Sequence, residues 1–170
     1  MSRFTWFGLL GVLWLAVQAS AADINPFRGE LSQPGASSNE LTVIAEGRSK
    51  TLTLAEIETL PLYVTTLATP FGESGQFIGV LLTDLLDHVD PGEAERVRLL
   101  ALDDYTVVLT REQIQAEIPF LATRLHGEPL SLLDKGPFRL LFPTLAEQTV
   151  GGQLPTANWI WSLIEIRRIE

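Results

Sequence analysis

The chain has no cysteine in 170 residues. That excludes disulfides, thiol nucleophiles and any metal centre built on a cysteine sulfur. Histidine is almost as scarce, with only two, His88 and His126, far apart in sequence. There is no His-x-x-x-His pair and no calcium loop of alternating Asp and Asn ending in Glu. Gly151-Gly152 lacks the P-loop lysine and the dinucleotide glycine pattern. No Gly-x-Ser-x-Gly elbow is present. Positive charge is also short: 12 Lys and Arg stand against 21 Asp and Glu, for a net charge of −9. Such a protein has no electrostatic reason to seek nucleic acid or an anionic membrane surface.

One long apolar run is present. Arg3 precedes Phe4 to Val17, which carries no charge, and Ala19-Ser20-Ala21 fits the small-x-small rule for signal cleavage. The run is shorter than the about 20 residues of a comfortable membrane span. Residues 1–21 are therefore expected to be a signal peptide, directing the protein to the periplasm with no stable membrane span after cleavage. Residues 22–39, rich in Pro, Gly, Ser and Asn, read as a flexible leader. Residues 40–170 read as one folded domain, which must be stabilised by its core because no disulfide can form.

The domain reads as short, mixed elements. Leu41 to Ala45 is a strand candidate, followed by a turn at Glu46-Gly47-Arg48-Ser49. Thr53-Leu54-Ala55-Glu56 has capping-box spacing and predicts a helix to about Leu60, ended by Pro61. Leu62 to Ala68 predicts a strand, Gly72-Glu73-Ser74-Gly75 a hairpin turn and Gln76-Phe77-Ile78 its return. Leu81, Leu82, Leu85, Leu86 and Val89 recur at helical spacing up to Asp90-Pro91-Gly92. Arg96 to Leu102 and Tyr105 to Leu109 predict a hairpin about Asp103-Asp104. Thr110-Arg111-Glu112-Gln113 is a second capping box. Phe120 to Leu125, Phe138 to Phe142 and Leu163 to Ile169 predict further strands. This order lacks regular βαβ alternation, so an α+β fold with a mixed or mainly antiparallel sheet and short helices is expected.

Most reactive-looking groups have plain local roles. His88 near a helix C-terminus suits the dipole there. Asp84, Asp87 and Asp90 read as a solvated acidic face, although a buried acid pair could exchange protons. Asn158-Trp159-Ile160-Trp161 is either core packing or, if both rings share a strand face, a binding platform.

Several segments, in order, resemble the molybdopterin-binding domain of the sulfite oxidase family. They are Phe77 to Leu86, Val97 to Val107 with its Asp-Asp-Tyr turn, Leu121 to Leu130, Gly136 to Pro143 and Trp159 to Ile169. Gly79 fits a point where the strand and the following helix approach closely. The resemblance implies the family's α+β fold. It also implies a molybdopterin cofactor whose metal is held by a cysteine thiolate from the domain's first half. That half is expected to be missing, and its cysteine has no counterpart. Between Arg139 and Arg167 there is no Lys or Arg, and Pro143 to Gly152 offers neutral residues and Glu147 where relatives carry basic ones. An anionic cofactor needs cationic or N–H donors.

The expected function is thus a non-catalytic, exported binding or interaction module, serving as a periplasmic accessory or sensing protein. No cofactor is expected, and the partner is a small molecule or a periplasmic protein. The alternative is a molybdopterin-dependent oxidoreductase or a subunit of one. Tyr105, Arg124, His126, Arg139 and Trp159 are the candidate ligand-binding residues. No catalytic or metal-ligating residue is expected.

Overall fold

A computed structural model describes residues 22–32, 39–92 and 95–169. The expected signal peptide and residues 33–38 of the expected leader lie outside the described residues. The elements, in order, are β1 (Asn25–Pro26), β2 (Glu40–Ala45), β3 (Arg48–Thr53), α1 (Leu54–Ile57), β4 (Tyr63–Ala68), β5 (Ser74–Leu81), α2 (Leu82–Val89) and β6 (Arg96–Ala101). Then come β7 (Thr106–Thr110), α3 (Arg111–Glu117), β8 (Phe120–Leu125), β9 (Glu128–Pro129), β10 (Arg139–Leu141), α4 (Ala146–Val150) and β11 (Leu163–Ile169).

Two sheets carry the fold. One has the order β1-β4-β5-β8-β10, with β9 also on β8, and the other β3-β2-β11-β6-β7. Every pairing is antiparallel except β2 with β11. The fold is therefore α+β with mainly antiparallel sheets and short helices, as the element order implied. Leu41, Val43, Val97, Leu99 and Ile166 from one sheet join Phe77, Val80, Leu121 and Leu140 from the other in one buried cluster. Each such side chain contributes about 1.5–3 kcal/mol by leaving water, which replaces what disulfides would otherwise supply.

Both capping boxes form. Thr53 accepts from the Glu56 N–H while Glu56 accepts from the Thr53 N–H, and Thr110 and Gln113 do the same at α3. These are local i to i+3 bonds, so the sequence alone specifies them. Helix α1 stops three residues short of the expected Leu60. Thr59 N–H donates to the Glu56 carbonyl and Leu60 N–H to Ile57, tightening the chain to i+3 bonds ahead of Pro61.

The β4–β5 turn comes earlier than expected. Thr69 N–H donates to the Glu73 carbonyl at 2.7 Å, and Ser74-Gly75 already belong to β5. Gly79 faces the β8 backbone, not a helix. A Cβ there would lie 2.9 Å from the Ala122 Cα and inside the Leu121 carbonyl oxygen's radius. It sits beside the bulge where β5 and β8 shift register.

The described part of the expected leader is joined to the domain. Asn25 and Pro26 pair with Val64 and Tyr63, and the Phe27 N–H donates to Leu62. Backbone groups thus find partners here that a detached leader would leave to water. Among the described residues no helix is long and apolar enough to cross a membrane.

Candidate functional site

The five residues expected to bind a ligand do not form one cluster. Arg124 is fully buried on β8 and forks onto Glu58, just after α1. Nε donates to Oε1 at 2.7 Å and Nη2 to Oε2 at 2.8 Å. Nη1 donates to the Ser32 hydroxyl and the Gly127 carbonyl, both at 3.0 Å. The Thr123 hydroxyl adds a bond to Glu58 at 2.9 Å. A bidentate guanidinium–carboxylate pair of this kind uses most of the donors that Arg124 has.

His126 sits at the tip of the β8–β9 hairpin. Its φ is +53° and that of Gly127 is +87°, the paired left-handed geometry of a two-residue hairpin loop. The residue is exposed, while its backbone N–H donates to the Gln76 carbonyl at 2.8 Å.

Arg139 on β10 is 1% exposed. Its Nη2 reaches the Glu73 carboxylate at 3.4 Å, and the guanidinium lies 5.4 Å from the Phe77 ring centre. Its Nε has no hydrogen-bond partner. Burial holds the Arg139 pKa below its ordinary value, with the Asp134 charge acting in the opposite direction. Glu73 also pairs with Lys135 and accepts from the Thr69 hydroxyl at 2.7 Å. Burial, and then the Arg139 charge, lower the Lys135 pKa. One carboxylate therefore serves two cations.

Lys135 leads outward to an aromatic cleft. Its Nζ lies 5.6 Å from the Phe71 ring centre and 5.7 Å from that of Trp161. Phe71 meets Trp161 edge-on at 4.5 Å. These two rings, with Asp103, Tyr105, Thr156 and Trp159, line a cleft of about 220 Å³. Tyr105 is fixed by its hydroxyl, which donates to the Ala157 carbonyl at 2.7 Å. Trp159 is buried and packs on Phe142. It precedes β11 and does not share a strand face with Trp161, because the chain from Ala157 to Ser162 is irregular around a single bridge from Ile160 to Leu140.

Of the sequence candidates, Tyr105 and Trp159 thus meet in one cleft. Arg139 stands behind it through Glu73 and Lys135, while Arg124 is turned to Glu58 and His126 occupies the tip of the β8–β9 hairpin. The sequence reading missed Glu58, Glu73, Phe71 and Lys135. An apolar ring in the Pro70-Phe71-Gly72 turn was a usable signal for Phe71. The two glutamates gave none, since their partners are distant in sequence.

Residues 34–150 match the family model of the oxidoreductase molybdopterin-binding domain. The chain belongs to this family. No curated protein matches it. Among solved structures, the crystal structure of the sulfane dehydrogenase SoxCD from Paracoccus pantotrophus is similar, with a TM-score of 0.59 and 15% identity. The match covers 92% of this chain and 49% of that one, so the chain spans about half the length of that protein. At this identity the likeness concerns the fold.

Within the molybdopterin-binding-domain family this chain is a variant without a ligating thiol, since it has no cysteine anywhere. Among the described residues no group of three or more His, Asp or Glu could hold a metal ion. The side chains fit the family's cofactor poorly. Arg124 is committed to Glu58, and Lys135 and Arg139 already share Glu73. Pro143 to Gly152 folds into a 3-10 turn and α4 with no cation in it.

Proposed function

We propose that the protein is an exported, non-catalytic binding module of the periplasm, acting as an accessory or sensing protein. The observation that carries this reading is the pairing of its buried arginines, and of the part-buried Lys135, with carboxylates of the same chain. Arg124 has Glu58, and Arg139 and Lys135 have Glu73. A buried charge with a partner in its own chain does not need a ligand's charge, and a ligand that took the partner's place would have to meet the cost of separating the pair. Cysteine is absent, so the fold is retained without the family's metal ligand. The aromatic cleft beside Tyr105 and Trp159 is the site where a small molecule would sit.

The test is purification of the mature protein from its native periplasm, followed by native mass spectrometry and metal analysis. A retained small organic molecule or partner protein, without stoichiometric molybdenum, is the expected result. Stoichiometric molybdenum with a pterin overturns the reading, and so does protein that binds nothing.

A second reading rests on one atom. The buried Arg139 Nε lacks a partner, which favours an anion beside it and thus a molybdopterin-dependent oxidoreductase or a subunit of one. The same metal analysis separates the two.

A further inference from the structure

The aromatic cleft has an unusual mix of lining groups. Four rings, Phe71, Tyr105, Trp159 and Trp161, line it with Asp103 and Thr156, and Lys135 approaches two of those rings. Aromatic faces are electron-rich and attract cations, tryptophan most strongly. A carboxylate at the same opening adds a full negative charge. The fold itself shows the preference, because Lys135 Nζ is held within 6 Å of both the Phe71 and Trp161 ring centres. Glu73 pairs with that lysine and with Arg139, and the Asp134 charge also acts on Arg139, so two carboxylates offset the two cations behind the cleft.

Size narrows the choice further. Clefts for drug-sized ligands run to about 300–1,000 Å³, and this one is about 220 Å³. A head group of a few heavy atoms fits, and a fused-ring cofactor does not. The walls are also held in place. Asp103 Oδ1 accepts the Tyr105 N–H at 3.2 Å, and the Tyr105 hydroxyl is tied to Ala157. Little side-chain freedom remains to be lost on binding.

We propose that Phe71, Tyr105, Trp159, Trp161 and Asp103 form a receptor for a small organic ammonium ion, with Thr156 facing a polar tail. This rests on the binding-module reading and names the ligand class for its site. An alkylated ammonium suits the cleft better than a bare metal ion, because its methyl groups are apolar and its charge is spread over them.

The test is tryptophan fluorescence and calorimetric titration of the purified mature protein with choline chloride. Its uncharged isostere 3,3-dimethylbutan-1-ol is titrated in parallel, at constant ionic strength. Saturable binding of choline with little response to the alcohol is expected. Trp161→Ala should weaken choline binding roughly tenfold, the scale of one well-placed ring face. Asp103→Asn keeps the oxygen that accepts from Tyr105 and removes the charge, and it should weaken choline without changing the circular dichroism spectrum. Equal binding of choline and the alcohol overturns the cation proposal while leaving a small-molecule module in place. No binding of either, or wild-type affinity in Asp103→Asn, also overturns it, and native mass spectrometry then judges the module reading separately.

Discussion

Arg124 and Glu58 form a two-pronged ion pair in the interior, with side chains 0% and 7% exposed and both oxygens engaged at 2.7 and 2.8 Å. The pair joins β8 to the end of α1 and, through Ser32, to the N-terminal segment. It accounts for a fully buried arginine near the end of β8 better than a ligand does.

Removal of one partner should therefore cost more than removal of both. Glu58→Ala leaves a buried guanidinium uncompensated and should destabilise the fold by about 3–5 kcal/mol. Glu58→Leu with Arg124→Met should recover a large part of that loss. Urea denaturation of the two variants beside wild type measures the difference. A double variant as unstable as the single one would contradict the pairing argument.

Glu73 divides one carboxylate between Lys135 and Arg139. Glu73→Gln should lower stability by about 1–3 kcal/mol, the scale of a buried donor left short of an acceptor. Because Glu73 is 32% exposed, the lower end of that range is expected. The freed cations should then take an anion from solution. Inorganic phosphate should raise the Tm of Glu73→Gln by several degrees more than that of wild type in a thermal scan, for a gain of about 1 kcal/mol.

Asp84 carries a pH signature. Burial raises its carboxyl pKa, the Tyr63 hydrogen bond opposes this, and Asp87 adds to it. A folded-state pKa above the unfolded one means that the folded protein binds the proton more tightly. Its stabilising contribution is complete below the unfolded aspartate value of about 3.9 and is lost as pH rises through the folded value. Asp84→Asn should therefore gain stability relative to wild type as pH rises from acid to neutral. Denaturation midpoints across that range check the sign.

Gly79 tests the sheet geometry. A methyl group there meets the β8 backbone at Leu121 and Ala122, neither of which can swing away. Gly79→Ala should cost about 1–3 kcal/mol or more through overpacking. For a chain of this size that is a Tm fall of about 2–4 °C per kcal/mol, readable by circular dichroism.

The predicted strand at Leu163 to Ile169 is observed over the same residues as β11, because alternation is written within the segment itself. The Asp103-Asp104 hairpin likewise follows from local turn chemistry. The β4–β5 turn was misplaced because Gly72 and Gly75 both carry turn signals, and the choice between them is made by Thr69 bonding to the Glu73 backbone and side chain. Gly79 was assigned to the wrong neighbour for a related reason, since a need for a small residue is legible in sequence but its cause is not.

The sequence by itself determined the exclusion of thiol chemistry, the α+β order and the helix caps, because each depends on residue identity or on bonds between near neighbours. Tertiary structure alone decided what the candidate site is. Phe71, Tyr105 and the stretch that carries Thr156 and Trp161 come from three separate segments, and Glu58 and Glu73 lie 66 positions from Arg124 and Arg139. A charge in a sequence names no partner, and only the tertiary fold, with the strand order β4-β5-β8-β10 in it, brought these carboxylates to the arginines and left the rings to form a cleft.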